Sequence, residues 1–210
     1  MTADAQQALE VLRSTNFFSW YLIPFLALVL YVYAAEVERK KWSIILTGLA
    51  VWGFDWLWET FNALWFHSSG YSAVWVTPSN SAYVILVGLN IEISMMFAIA
   101  GVIFAKFLPE NRTMKIIGVN NRWFLAGFFA AFCVFVEIIL NRWGMLVWNY
   151  HWWNWPNFWL TWLCAYLPMF LFAAWIHDMV SMKRKIFIVS GLYILDLLLI
   201  IIFMGILGWI

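Results

Sequence analysis

Six long apolar segments constrain this chain more than any other feature of its sequence. A helix needs roughly 20 mostly apolar residues to cross the ~30 Å hydrocarbon layer of a membrane. Six segments meet that requirement: 17–35, 42–66, 80–107, 122–141, 157–180 and 185–209. Each is a continuous apolar run and not an alternation over about ten residues, which excludes the strands of a membrane β-barrel. We therefore predict an all-α, polytopic membrane helical bundle of about six transmembrane helices.

The composition excludes most soluble functions. Charged residues make up 11% of the chain and apolar residues 65%, whereas a soluble domain has about 25% and about 45–50%. A soluble fold of this size could not cover its surface with polar groups, which argues against nucleic-acid binding and soluble catalysis. The first sixteen residues lack the basic region and cleavage site of a signal peptide, so the first span is expected to be retained. We predict a single transmembrane helical domain over 1–210.

The distribution of Lys and Arg predicts the orientation of the bundle. All but two of the 12 basic residues fall in or beside the loops that follow spans 1, 3 and 5. The other side of the predicted membrane holds only Arg13 and Arg142. Cytoplasmic loops carry the excess of Lys and Arg in membrane proteins. Loops 36–41, 106–122 and 181–186 are therefore predicted to be cytoplasmic, with both termini on the non-cytoplasmic side.

Carboxylic acids inside the predicted spans are the strongest chemical signal. An ionised acid at the centre of a membrane helix costs roughly 2.5–3.5 kcal/mol, and no Lys or Arg lies deep enough to pair with one. Five acids lie well inside the spans: Asp55, Glu59, Glu92, Glu137 and Asp196. Counted at about 1.5 Å per residue from the inner ends of their spans, Glu59 and Glu137 lie in the outer third of the predicted membrane. The other three acids lie near its middle. We predict one outward-facing cavity that collects these acids.

Asparagines and aromatic residues accompany the acids. Asp55, Glu59 and Asn62 share one face of span 2, because they are spaced i, i+4, i+7. Glu137 and Asn141 are four residues apart on span 4. The residues predicted to bind substrate are Asn62, Asn90, Glu92, Asn141, Trp58, Trp148 and Tyr150. The outer loops are rich in aromatics, which is typical of an interfacial belt and would also suit a cavity that opens to the outer leaflet.

Metal-independent acid catalysis is the chemistry that these residues favour. None of the three histidines lies at the depth of Glu59, and the acidic spacing of diphosphate-binding enzymes and the Glu-x-x-His spacing of di-iron proteins are both missing. We therefore predict no metal and no cofactor. An apolar pocket favours the protonated form of a carboxylic acid, which can then donate its proton. Aromatic faces stabilise positive charge. Buried carboxylic acids together with aromatic side chains therefore suit a proton-initiated polyene cyclisation.

The segment FDWLWETFNALWF, with its Trp58–Glu59 pair, resembles the small integral-membrane terpene cyclases of meroterpenoid and indole-diterpene pathways. Those proteins are all-helical bundles with a Trp-Glu pair on an early span, an Asn-containing span after it and an acid on the last span. The counterparts here are GLNIEI, with Asn90, and Asp196. The resemblance implies that Glu59 donates the proton, with Asp196 as its partner, in a metal-free cyclisation. It covers spans 2, 3 and 6, and Glu137–Trp153 has no counterpart in it.

The outer ends of spans 2 and 4 have similar sequences, and this similarity is the basis of a second family resemblance. ETFN at Glu59–Asn62 and EIILN at Glu137–Asn141 both end outward-running spans and lead into an aromatic loop. Spans 2–3 and 4–5 are therefore candidates for related hairpins. In this respect the chain is similar to small membrane carotenoid cyclases, which are built from repeated hairpins.

The sequence thus predicts a membrane enzyme that cyclises or isomerises a polyprenyl, terpenoid or carotenoid substrate, as an isomerase or lyase. Glu59 would be the donor, and Glu137, Asp196 and Asp55 its partners or the terminating base. The expected partners are a lipophilic small molecule and the lipid bilayer. Two other functions stay open: a proton-coupled small transporter and a non-catalytic membrane subunit of a larger complex. In a purely structural alternative, the acids and asparagines join helices by hydrogen bonds.

Overall fold

The structure is a computed structural model that describes residues 1–79 and 81–210, and this part of the chain is mostly helical. Its α-helices are α1 (Ala3–Val11), α2 (Leu22–Glu38), α3 (Trp42–Ser69), α4 (Ile91–Phe107), α5 (Asn121–Arg142), α6 (Phe158–Asp178) and α7 (Met182–Ile206). A π-helical stretch, Thr161–Tyr166, lies in α6, and another, Ile200–Ile206, ends α7. The prediction of a helical bundle is confirmed at this level.

Three of these helices, α5, α6 and α7, are long and apolar enough to cross a membrane. Helices α2 and α4 have 17 residues each, slightly fewer than the roughly 20 that a span needs. Helix α3 has 28 residues, but Asp55 and Glu59 interrupt its apolar sequence. The structure therefore supports a membrane protein with three candidate spans. The arrangement of six spans with both termini outside stays a prediction.

Three short antiparallel strand pairs shape the loops of the bundle. They are β1 (Trp75–Val76) with β6 (Val147–Trp148), β2 (Val84–Leu86) with β3 (Leu89–Asn90), and β4 (Lys115–Ile116) with β5 (Val119–Asn120). The β1–β6 pair places Trp75 opposite Trp148 and so joins the two aromatic outer loops.

The predicted third span differs from the observed helix at its start. Its predicted first residue, 80, lies outside the described residues, and α4 begins only at Ile91. Before it, β2 and β3 form a tight hairpin whose turn is Val87-Gly88. Short apolar runs rich in β-branched residues cannot be assigned to helix or strand from periodicity, which explains the error. Asn90 then caps α4 by accepting a hydrogen bond from the Ile93 backbone N–H at 2.8 Å.

The basic loops lie together at one end of the bundle. Lys106 pairs with the buried Glu36 at 2.8 Å, which ties the end of α4 to that of α2. Arg122 donates two hydrogen bonds to Asp178, from Nε at 2.9 Å and from Nη2 at 2.7 Å, and so ties α5 to α6. Lys185 donates to the His177 carbonyl at 2.7 Å. The loops predicted to be cytoplasmic are thus on one side, opposite the aromatic loops.

Helix α3 lies at the centre of the bundle. It packs against α4 so closely that a Cβ added to Gly101 would lie 2.7 Å from the Gly48 carbonyl oxygen. Small residues commonly permit such close contact between membrane helices. On another side, Gly53 of α3 faces Leu192 of α7. Because of this central place, the acids of α3 are surrounded by other helices.

Candidate functional site

Three carboxylic acids meet around one small cavity of about 30 Å³. Asp55 and Glu59 come from α3 and Glu137 from α5, while Tyr166 of α6 lies beside them. Asp55 and Glu59 are only 6% and 4% exposed. Most of the remaining wall is aromatic or aliphatic. The structure therefore brings together three of the five acids that the sequence places inside the membrane.

Glu59 is oriented by the loop that follows α3. Trp75 Nε1 donates a hydrogen bond to Glu59 Oε1 at 2.8 Å. Asn62 holds that loop, because it accepts from the Val74 N–H at 2.8 Å and donates to the Trp75 carbonyl at 2.8 Å. An indole N–H can only donate, so Glu59 Oε1 is an acceptor. A proton on Glu59 therefore belongs on Oε2, which is buried and makes no hydrogen bond to the described residues.

Glu137 has a similar arrangement with a different donor. The Tyr166 hydroxyl donates to Glu137 Oε1 at 2.5 Å. Glu137 Oε2 is buried and accepts no hydrogen bond from the described residues, and the same is true of Asp55 Oδ2. All three acids thus keep one oxygen unpaired in the same region. Asn62 lies beside Glu59 and Trp148 beside Glu137, without completing a hydrogen bond to these oxygens.

The π-helical stretch of α6 explains how Tyr166 reaches this place. In an α-helix, Thr161 and Tyr166 would point about 140° apart, because each residue turns by about 100°. The wider π turn bonds residue i to residue i+5 and brings such a pair toward one face. Both residues line the cavity, and the Thr161 hydroxyl is another buried group without a partner among the described residues.

Four further residues line the cavity without having been predicted as site residues: Tyr166, Thr161, Trp75 and Trp153. Each is one of many similar residues in an aromatic, apolar stretch. A π turn is rare and leaves no composition signal that separates it from the α-helix around it. Tyr166 and Trp75 are distinguished by their hydrogen bonds to Glu137 and Glu59, and Thr161 and Trp153 by their place in the cavity wall.

The hairpin turn between β2 and β3 lies against the side chain of Glu59. A Cβ added to Gly88 would lie 2.7 Å from Glu59 Oε2 and 2.7 Å from Trp75 Cδ1, and it would also overlap Asn62 Nδ2. Only glycine fits there, because Asn62 and Trp75 are held by their hydrogen bonds. The turn therefore contacts the unpaired oxygen of Glu59.

Gly88→Ala is expected to lower the free energy of unfolding by about 1–3 kcal/mol, the usual cost of overpacking. Chemical denaturation in detergent micelles measures this change. Gly191 of α7 is the matched control, because nothing lies within 4 Å of a Cβ added there. Gly191→Ala should leave stability unchanged or raise it slightly, since alanine favours helix. Equal destabilisation by both substitutions would contradict the close approach at Gly88.

Asp196, the predicted partner of Glu59, does not line this cavity. It lies on α7, 5% exposed, and both of its carboxyl oxygens are buried without a partner among the described residues. It is within electrostatic range of Asp55. The structure thus places Asp196 near the acid cluster and outside its cavity, and its predicted catalytic role stays a prediction.

Most of the residues predicted to bind substrate hold loops and helix ends. Glu92 accepts hydrogen bonds from the Tyr21 hydroxyl and from the Ala82 N–H, the latter at 2.8 Å. Asn141 donates to the Leu146 carbonyl at 3.1 Å, and Tyr150 donates to the Ser72 carbonyl at 3.0 Å. Of the predicted set, only Trp58 is part of the cavity wall. The others, Asn62, Asn90, Glu92, Asn141, Trp148 and Tyr150, stay predictions as substrate contacts.

Two larger spaces flank the carboxyl cavity. An apolar groove of about 380 Å³ lies between α4 and α5 and shares Glu137 and Tyr166 with the cavity. An aromatic pocket of about 190 Å³ lies on the other side and shares Trp58, Trp75 and Trp153. Within 1–79 and 81–210, no three His, Cys, Asp or Glu side chains come together in a way that could hold a metal ion.

Comparisons with other proteins agree with the membrane character of the chain. A relative from Archaeoglobus fulgidus, described as an uncharacterized protein, is 48% identical over 209 residues, which cover 100% of this chain and 99% of the relative. Another protein of A. fulgidus, with the same description, is 43% identical over 51 residues, or 24% of this chain and 91% of that protein. No solved structure matches. The model of an uncharacterized membrane protein family matches residues 2–205, and the chain therefore belongs to that family.

Proposed function

We propose that this protein is an integral-membrane enzyme that cyclises or isomerises a polyprenyl, terpenoid or carotenoid substrate by acid catalysis. The observation that carries the proposal is the meeting of Asp55, Glu59 and Glu137 around one small cavity, which shares Glu137 and Tyr166 with a larger apolar groove. Each keeps a buried oxygen that no described residue pairs. An unpaired buried polar group costs about 1–3 kcal/mol. Acids that only joined helices would be expected to use these oxygens in hydrogen bonds.

The proposed reaction begins with proton transfer from Glu59 Oε2 to one carbon of a double bond. The other carbon becomes a cation, which the π electrons of a second double bond attack to close a ring. Loss of a proton from a neighbouring carbon to Glu137 then forms a new double bond. One proton is added and one is lost, so substrate and product are isomers and no oxidant or reductant is consumed. Glu59 and Glu137 line the same cavity, through which the proton can return.

The aromatic wall suits the cationic intermediate. Indole faces attract positive charge through their quadrupole, and Trp58, Trp75 and Trp153 all line the cavity. Trp75 and Trp153 stack on each other with ring centroids 6.0 Å apart. Their size also keeps water away, which protects a carbocation from capture by hydroxide or water.

Glu59→Gln is expected to reduce product by at least about 100-fold, since a positioned general acid usually contributes about 10²–10⁴. Lipid extracts of isoprenoid-producing host cells with and without the protein are separated by gas chromatography, because substrate and product have the same mass, and the cyclised isoprenoid is identified by its retention time and fragmentation in the mass spectrometer. The matched control is Glu38→Gln, at the exposed end of α2, which should retain full product. Both variants are first checked for folding by thermal unfolding in detergent.

Two outcomes would count against the proposal. The first is an unchanged product level in folded Glu59→Gln protein. The second is the absence of any isoprenoid difference between cells with and without the wild-type chain. Proton uptake into proteoliposomes, driven by a pH gradient and lost in Glu59→Gln, would then identify a transporter instead.

A further inference from the structure

We infer that the groove between α4 and α5 binds an extended isoprenoid chain, which enters sideways from the bilayer and places its reactive end at Glu137. This inference deepens the proposed function and rests on it for the reaction. None of the residues predicted from sequence to bind substrate lines the groove. The groove therefore adds a surface that the sequence did not predict to the site that begins at Glu137, and its occupation can be measured without turnover.

The dimensions of the groove suit a chain. Its volume of about 380 Å³ lies in the usual range of small-molecule sites, about 300–1,000 Å³. Its wall follows α4 from Ile93 to Phe107, a rise of about 21 Å. That length is comparable to an extended geranylgeranyl chain. A compact, fused-ring molecule would leave much of such a long groove empty.

The lining of the groove favours an unsaturated occupant. Its aromatic residues are Phe97, Phe107, Phe128, Phe129, Phe132 and Tyr166. Aromatic rings pack well against other π systems, so double bonds gain contacts here that a saturated acyl chain does not. Phe107, Phe128 and Phe132 are 60%, 58% and 57% exposed. Phe128 and Phe132 lie on α5, a candidate span, so these two rings would face lipid and the groove would open to the bilayer.

The polar groups of the groove set the direction of the chain. Glu137 and Tyr166 lie together where the groove meets the carboxyl cavity, and the Phe107 end is entirely apolar. The cationic end must lie near Glu137, which takes up its proton in the last step and lines both the groove and the carboxyl cavity, so the rest of the chain extends toward Phe107. The aromatic pocket on the other side has no carboxyl group in its wall. That pocket therefore lacks the chemistry that the reactive end needs.

The two cysteines of the chain provide a matched test. Cys133 lines the groove and Cys164 lines the aromatic pocket. Cys133→Phe fills the groove, and Cys164→Phe places the same bulk in the other space. The probe is geranylgeraniol, and its binding to the protein in nanodiscs is measured by native mass spectrometry. We expect at least a tenfold loss of affinity in Cys133→Phe and a change of less than twofold in Cys164→Phe.

A second groove variant and a saturated probe complete the test. Ala100→Leu fills the groove by a smaller amount and replaces Cys133→Phe if that variant unfolds. Phytanol, the saturated counterpart of the probe, should bind at least threefold more weakly. Unchanged geranylgeraniol binding in the groove variants, an equal loss in Cys164→Phe, or equal binding of phytanol would overturn the inference. Glu59→Gln should still bind the probe, so failure of catalysis and failure of binding are distinguished.

Discussion

Glu137→Gln is expected to lower formation of the cyclised product by about 10²- to 10⁴-fold, because Glu137 is the acid that lines both the carboxyl cavity and the apolar groove. Glutamine keeps the shape of the side chain and still accepts a hydrogen bond from Tyr166. It cannot take up the proton that the final step releases. Product per amount of folded protein, measured in lipid extracts by gas chromatography with mass-spectrometric detection, which separates the isomeric substrate and product, checks this expectation.

Tyr166→Phe is the companion variant and should have a smaller effect. It removes the hydroxyl that donates to Glu137 Oε1 at 2.5 Å but leaves the carboxyl group in place. A hydrogen bond to a charged group contributes about 1.5–3 kcal/mol, so a loss of about 10- to 100-fold is expected. A Glu137→Gln variant with wild-type product would contradict a catalytic role. Equal losses in the two variants would mean that Glu137 acts only through Tyr166.

Asp178→Asn is expected to cost about 3 kcal/mol of folding free energy. Asp178 accepts two hydrogen bonds from Arg122, at 2.9 and 2.7 Å, and Arg122 is only 8% exposed. Removal of one partner from a fully buried ion pair costs about 3–5 kcal/mol, because the other charge is left uncompensated, but the Asp178 side chain is 21% exposed and this pair is only partly buried. The lower end applies here, since Arg122 also donates to the Pro109 carbonyl at 2.7 Å. Denaturation in mixed micelles measures the loss.

Arg39→Gln is the control for this pair. Arg39 contacts Glu36 at 3.5 Å with a side chain that is 62% exposed, so water screens the interaction. Its loss should cost less than about 1 kcal/mol. If Asp178→Asn were no more destabilising than Arg39→Gln, the link between α5 and α6 would not contribute to stability as described.

Much of the fold follows from local sequence. The apolar runs predict helices because their length and continuity match what a bilayer demands. The basic loops were predicted to share one side, and Lys106, Arg122 and Lys185 do lie at one end of the bundle. The predicted start of α4 was wrong, because the apolar segment before Ile91 fits a hairpin as well as a helix.

The candidate site was predictable only in part. Asp55 and Glu59 share a face because both lie on α3 one turn apart, and any helix would give that result. Their meeting with Glu137 depends on how α5 and α6 rotate about their axes. Helices that are apolar on all sides have no polar face to reveal that rotation. For the same reason Glu92 and Asp196, which lie inside the same apolar runs, could not be separated from the cluster.

The amino-acid sequence is sufficient to place this protein in a membrane and to identify the acids that a bilayer disfavours, because both depend on residue type and local order. The grouping of those acids arises from long-range packing. A π turn in α6 brings Tyr166 to Glu137, and the Gly88 turn packs closely against Glu59. Contacts between residues distant in the chain specify these features, and no local pattern records them.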